Sequence, residues 1–225
     1  MFIIEGIKAI TEFFGSAYRL HSIYHTGNLP ANFEDTGTNI KLFEVNQTEL
    51  ERISTLQTPQ DMLALVHMPQ QQHIAADALR GQFSLLLDGI QDPGNLGTII
   101  RTADWFGFDK IICSANTVEA YNPKTVQATM GSLARMEIFY TDLAALIRSA
   151  NLPVYGALLD GESIYDIPWG KEGLVVLGNE GQGISAELRS FVSRAVTIPR
   201  KGGAESLNVA ISAAIFCSEL TRHMH

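Results

Sequence analysis

Three glycine-bearing stretches of this 225-residue chain carry the polar groups best spaced for chemistry. In the first, Asp88 to Asp104 (DGIQDPGNLGTIIRTAD), Gly94 and Gly97 bracket Asn95, and Arg101 follows Gly97 by four residues, about one helical turn. In the second, Leu177 to Ser185 (LGNEGQGIS), Gly178, Gly181 and Gly183 flank Glu180. In the third, Thr197 to Glu219, Gly202 and Gly203 precede Glu205, Ser206 and Asn208 and then a long apolar run. Glycine crowding lets a ligand lie against the backbone. A helix start offers unsatisfied N–H groups and a positive dipole end to polar or anionic contacts. Each loop taken alone also fits a plainer reading, a strand-to-helix turn whose glycines serve backbone geometry, although one acid among three glycines is difficult to explain as surface filler. The Gly-x-Gly-x-x-Gly spacing of dinucleotide folds and the Gly-Lys-Ser/Thr ending of phosphate loops are both absent.

The elements that must position these loops follow a regular rhythm. From residue 75 onward, strands at SLLLDGI, KIICS, MEIFYT, VYGALL, LVVLG and AVTIP alternate with helices at Leu96–Phe106, Pro123–Leu133, Leu143–Ala150, Ala186–Val192 and a closing helix from Val209. Near-continuous aliphatic strands separated by helices predict a parallel sheet covered on both faces, with ligands bound beyond the carboxyl ends of the strands. Residues 1–68 predict a smaller α/β unit: strands at FIIEG, LHSIYHT, KLFEV and LALVH, and helices at Ile7–Phe14 and Thr48–Leu56. A turn-rich loop with Gly27, Pro30, Asp35 and Gly37 lies between them, and residues 69–74 read as a linker before a domain at 75–225. The closing helix is small and apolar on nearly every face, which predicts burial on more than one side.

Composition bounds the rest. The net charge of −8 argues against non-specific wrapping of nucleic acid, though not against a local basic site. Arg189, Arg194, Arg200 and Lys201 cluster, while Arg101, Lys124 and Arg135 are scattered; such groups taken alone are usually solvated surface. No apolar run approaches membrane-spanning length, and the chain opens without a signal-peptide pattern, so a cytoplasmic protein without membrane contact is expected. Cys113 and Cys217 sit in apolar segments without metal-ligand spacing, which predicts buried thiols and no metal site.

The order and spacing of the three loops together are specific. Residues 75–222 resemble the SpoU, or TrmH-like, branch of the SPOUT methyltransferases. Its first motif is matched by Asn95, Gly97, Arg101, Thr102 and Ala103, and its second by Gly178, Glu180, Gly181 and Gly183. Its third is matched by Ile198, Pro199, Gly203, Ser206, Leu207, Asn208 and Ala210. The first unit is similar to the small RNA-binding α/β domain that precedes the catalytic domain in many members. Many relatives approach the FIIEG-like segment through a further helix and strand, and Asp61 stands where they often have glycine.

The resemblance implies a parallel-sheet domain whose carboxyl part forms a trefoil knot, a homodimer with its active site near the subunit interface, and methyl transfer from S-adenosylmethionine to a ribose 2′-hydroxyl of structured ribosomal or transfer RNA. By the same resemblance Gly178, Ile198 and Leu207 would hold the adenosine, with Leu158 and Leu177 as apolar walls placed by their positions at strand ends. Arg101, Asn95, Glu180, Ser206 and Asn208 would form the catalytic group: Arg101 on the phosphate beside the target ribose, Glu180 fixing Arg101 or a neighbouring amide, and the others orienting ribose and cofactor. Two other readings suit the same architecture: a non-catalytic RNA-binding paralogue, which the intact polar set argues against, and a nicotinamide-dependent oxidoreductase, which lacks its glycine fingerprint and distal acid. The first 70 residues hold eight acids against Lys8, Arg19, Lys41 and Arg52, so their contact with RNA stays open at this point.

Overall fold

A computed structural model describes residues 1–27, 29–30, 33, 40–70 and 73–224. Asp35, Gly37 and part of the expected linker lie outside the described residues. Strands β1 (Phe2–Glu5), β2 (Leu20–His25), β3 (Lys41–Glu44) and β4 (Met62–Val66) form a four-stranded sheet in the order β1-β4-β2-β3, with helices α1 (Ile7–Glu12) and α2 (Gln47–Ile53). Helix α2 begins where Asn46 and Glu49 cap each other: the Asn46 Oδ1 accepts from the Glu49 N–H at 3.0 Å and the Asn46 N–H donates to the Glu49 carboxylate at 2.9 Å.

The second sheet is parallel throughout. It is built from β5 (Phe83–Asp88), β6 (Lys110–Ser114), β7 (Glu137–Thr141), β8 (Val154–Ser163), β9 (Gly173–Gly178) and β10 (Arg194–Thr197) in the order β10-β8-β9-β5-β6-β7. Between and after them run α3 (Pro93–Trp105), α4 (Pro123–Thr129), α5 (Leu143–Ala150), α6 (Ala186–Arg189) and α7 (Val209–Met224). Side-chain alternation sends Leu85 and Leu87 of β5 into one core and Leu86 into another on the opposite face, where Leu143, Leu146 and Ile147 of α5 pack. The strand order steps outward from β5 through β6 to β7 and then returns on the other side of β5, with β9 beside it. That reversal leaves a crevice at the carboxyl ends of β5 and β9, where open α/β sheets bind ligands.

Several boundaries differ from the sequence reading, each for a local reason. Helix α3 starts at Pro93, because the Asp92 carboxylate caps the Asn95 N–H at 2.8 Å and proline suits the first helical position; Asn95 and Gly97 therefore lie inside the helix and not in the turn before it. Helix α4 stops at Thr129, since Met130 and Gly131 take left-handed φ values of 52° and 93°. Strand β8 runs on to Ser163, and α6 ends at Arg189. Helix α7 is buried along one side through Ala213, Phe216, Cys217 and Leu220, but Ile211 is 51% exposed and Ser218 is exposed, so the expected all-round burial does not hold.

The two sheets share one core. Apolar contacts run without a break from Phe2, Phe13 and Ile23 to Leu85, Ile99 and Phe216. Phe2 meets Tyr121 with ring centroids 4.8 Å apart, and the Tyr18 and Tyr121 hydroxyls are 3.2 Å apart. Arg135, far from being idle surface, donates to both oxygens of Asp104 and also pairs with Glu12 of α1. A Cβ at Gly131 would sit 2.7 Å from the Glu12 side chain, so the four-stranded unit is seated closely on the parallel one.

Candidate active site

Three loops leave the carboxyl edge of the parallel sheet and meet. After β9 the chain turns back on itself: Asn179 and Gly183 exchange two backbone hydrogen bonds of 3.0 and 2.9 Å. The Asn179 Oδ1 accepts from the Gly181 and Gln182 N–H groups, and its Nδ2 donates to the Gly89 carbonyl at 2.8 Å, tying this loop to the one after β5. The Asp88 carboxylate adds a second tie by accepting from the Ser185 N–H at 2.7 Å. Sequence reading passed over Asn179 and Asp88; their signal was a polar residue at the carboxyl end of an aliphatic strand.

Asn208 connects the third loop to the first. Its Oδ1 accepts from the Ala210 and Ile211 N–H groups at 2.9 and 3.3 Å and so caps α7. With its oxygen engaged, Asn208 presents its Nδ2, which donates to Asn95 Oδ1 at 2.9 Å. Asn95 is then oriented in turn, and its Nδ2 donates to Glu180 Oε1 at 2.9 Å. The result is a directed line, α7 N-terminus to Asn208 to Asn95 to Glu180, in which each amide can face only one way. Glu180 thus holds a neighbouring amide and not Arg101. An Asn95→Asp change would set a carboxylate against Glu180 and remove the donor. The expected outcome is a loss of about 0.5–1.5 kcal/mol in stability, read by denaturant titration.

Beside this line lies a cavity of about 1040 Å³. Leu158, Leu177, Gly178, Ile198 and Leu207 all line it, as do Glu180, Ser206 and Asn208. Val196 and Phe216 add apolar wall, and Arg189, Arg200 and Lys201 stand at its rim; none of these five was singled out as a site residue. Residues 199–208 are exposed throughout and form one open side. Asn95 does not itself line the cavity but bonds to two residues that do. Arg101 is not among the lining residues. It is exposed on α3, and its side chain makes no hydrogen bond or ion pair among the described residues. Cys113 and Cys217 are free, buried thiols: burial pushes Cys113 up, with the Glu119 charge adding to it, and burial pushes Cys217 up to about 12. Among the described residues no group of three histidine, cysteine, aspartate or glutamate side chains could hold a metal ion.

A parallel sheet with a roomy cleft at its switch point, edged by glycine turns and fixed amides, defines an α/β protein with a small-molecule site beyond its strand ends. Comparison with known proteins narrows this. Residues 82–218 match the SpoU rRNA Methylase family, and residues 1–64 match the MRM3-like substrate binding domain. The 23S rRNA (guanosine(2553)-2′-O)-methyltransferase RlmP of Bacillus subtilis is 32% identical over 97% of this chain and 88% of its own length. Among solved structures, an RNA methyltransferase of the TrmH family from Porphyromonas gingivalis superposes with a TM-score of 0.86 at 39% identity, covering 98% of this chain and 89% of that one. An AdoMet-bound rRNA methyltransferase from Sinorhizobium meliloti gives 0.87 at 28% identity, covering 100% and 88%. The chain belongs to the SpoU rRNA methylase family, the SpoU/TrmH-like branch of the SPOUT methyltransferases.

Proposed function

We infer that this cleft transfers a methyl group from S-adenosylmethionine to a ribose 2′-hydroxyl of ribosomal or transfer RNA. The chain is thereby an S-adenosylmethionine-dependent RNA 2′-O-methyltransferase. The observation that carries the reading is the line Asn208, Asn95, Glu180, which links all three glycine loops at the edge of the cavity. The cavity fits the cofactor in size and character: its volume is at the upper end for small-molecule sites, of the order of 300–1,000 Å³, and its walls mix leucines with open main chain.

Bound there, S-adenosylmethionine supplies an electrophilic methyl on a good leaving group. The protein's work is then alignment and help with loss of one proton. Gly178, Ile198 and Leu207 hold the adenosine through main-chain groups, between Leu158 and Leu177. Ser206, Asn95 and Asn208 orient the ribose and cofactor, and Glu180 keeps Asn95 in its orientation. Arg101 binds the phosphate beside the target ribose. It lies six residues beyond Asn95, about 9 Å further along α3 at about 1.5 Å per residue. A guanidinium is also effectively always protonated, so Arg101 is no base and the proton leaves to that phosphate or to solvent.

The same proposal includes a homodimer, a knotted carboxyl part, a cytoplasmic setting and a division into residues 1–68, a joint at 69–74 and a methyltransferase domain at 75–225. The half-exposed strip of α7, with Ile211, Ala214, Ile215 and Ser218 beside Tyr165, supports the dimer contact. Close passage of β8 across β10 supports the knot: a Cβ at Gly161 would lie 2.4 Å from the Val196 nitrogen. The match of residues 1–64 supports an RNA-contacting first unit.

The test is calorimetric titration with S-adenosylmethionine and with NAD, followed by transfer of labelled methyl to bulk RNA. Binding of the first alone, with label recovered in alkali-resistant dinucleotides, is the expected result. Alkali cleaves RNA through the 2′-hydroxyl, so only a 2′-O-methyl group protects the neighbouring phosphodiester. NAD binding would favour an oxidoreductase, and cofactor binding without transfer a non-catalytic paralogue.

A further inference from the structure

The first unit is acidic by count, but several of its acids are engaged within the fold, while Glu44 stands exposed on β3 itself. Both Glu5 oxygens accept hydrogen bonds from Ser54 and Thr55, Glu12 pairs with Arg135, and Glu49 caps Asn46. The basic residues behave differently. The His67 N–H bonds to the Arg19 carbonyl at 2.9 Å, which brings the end of β4 to the start of β2. The His21 and His67 rings lie 5.4 Å apart, and Lys41, opposite Ser22 in register, opens β3 at the same end of the sheet. His67 is held below its ordinary range, by desolvation and then by the nearby charges of Arg19, His21 and the chain's N-terminus, so it meets a ligand as a neutral imidazole and not as a cation.

Beside this basic end is an aromatic platform. β3 is an edge strand and every residue in it is exposed. Phe43 is 43% exposed although it is large and apolar, and its ring stacks on Tyr24 with centroids 5.1 Å apart and planes at 15°. One face of Phe43 is therefore covered by Tyr24, which fixes its orientation, while the strand remains open to solvent. Lys41 and Phe43 are two residues apart, so both project on the same side of the sheet, separated by about 6–7 Å at about 3.3 Å per residue.

We propose that this edge, Phe43 backed by Tyr24 with Lys41 and the Arg19, His21 and His67 group beside it, holds a single-stranded segment of the substrate RNA, with one unpaired base on Phe43 and the backbone along Lys41, Arg19 and the two imidazoles. The proposal rests on the RNA-methylating reading above and adds which surface of the first unit meets RNA and in what form. A free ring face recognises a splayed base and not a base pair, because duplex bases are already stacked on one another. Lys41 and Arg19 meet the phosphates, a local pair of positive charges on a chain of net charge −8.

The experiment measures binding of the full-length chain to an unstructured oligoribonucleotide and to the same strand annealed to its complement, by fluorescence anisotropy across a salt series. Phe43→Ala is expected to weaken single-strand binding roughly 5- to 100-fold, the range for loss of one base-stacking contact, and to leave duplex binding nearly unchanged. Phe43→Trp should restore it, and Lys41→Ala should lower the salt slope by about 1. Melting temperature and S-adenosylmethionine affinity should stay at wild-type values in all three. Wild-type single-strand binding by Phe43→Ala, or no RNA binding by the parent chain, overturns the proposal. A change of native mass in Phe43→Ala without a change in RNA binding also overturns it, making β3 an edge between copies. Methyl transfer by the parent chain is scored separately: a parent that transfers while Phe43→Ala binds normally loses only this proposal, and a parent that binds through Phe43 but never transfers loses only the enzymatic reading.

Discussion

Gly178→Ala is expected to weaken cofactor binding about 10- to 100-fold while the rest of the parallel sheet still forms. A Cβ at Gly178 would lie 2.2 Å from the Gly183 carbonyl carbon and 2.2 Å from the Ile184 nitrogen, both backbone atoms that no rotamer change can move aside. The loop cannot open to make room without breaking the paired Asn179 and Gly183 hydrogen bonds, and Asn179 is itself anchored on Gly89. Overpacking of this kind costs about 1–3 kcal/mol. Because the displaced segment lines the cavity, most of that cost should appear as lost affinity for S-adenosylmethionine, about 10- to 100-fold by calorimetry. Gly181→Ala is the control: its Cβ would meet only Asn179 Oδ1 at 3.6 Å, an ordinary contact. Equal affinities in the two variants would remove the loop from the cofactor site.

Arg101→Ala should show the opposite division of effects. Arg101 is exposed and has no partner among the described residues, so stability should change by no more than about 0.5 kcal/mol. Cofactor affinity should also hold, since Arg101 does not line the cavity. Methyl transfer, measured as kcat/KM on RNA, should fall roughly 10- to 100-fold, because a charge-assisted hydrogen bond to a phosphate is worth about 1.5–3 kcal/mol. The salt slope of RNA binding should drop by about 1, with Arg101→Lys recovering the slope better than the rate, since lysine restores the charge but not the planar fork. Unchanged transfer would return Arg101 to the status of a surface helix residue. A lost affinity for S-adenosylmethionine would place it at the cofactor and against the phosphate role.

The two variants separate what the motifs do. Gly97 shares a motif with Arg101, yet its place is structural: a Cβ there would lie 2.5 Å from both the Ala128 side chain and the Thr125 carbonyl, so it lets α3 and α4 cross closely. Asn95, two residues earlier, belongs to the hydrogen-bonded line. A motif read as one functional string is thus a packing residue, a positioning amide and a cation without a partner among the described residues, all on a single helix.

What the chain's order of residues determined by itself was the repetition of aliphatic strand and helix, the glycine turns at strand ends and the capping signals, since these depend on sterics and hydrogen bonds within a few residues. Asn46 with Glu49 and Asp92 with Pro93 are of that kind, although the first helix was expected to start at Thr48 and the second start was read as a turn under a glycine-rich stretch. The resemblance of three motifs supplied the cofactor. Only the tertiary structure decided that Asn95 bonds to Glu180 and to Asn208, 85 and 113 residues away, that Arg101 stays outside the cavity, and that the four-stranded unit is seated on the parallel one through Phe2, Tyr18 and Arg135. Those contacts depend on strand order, and strand order is fixed by how two apolar faces are jointly buried, a property of the whole chain that no local pattern carries.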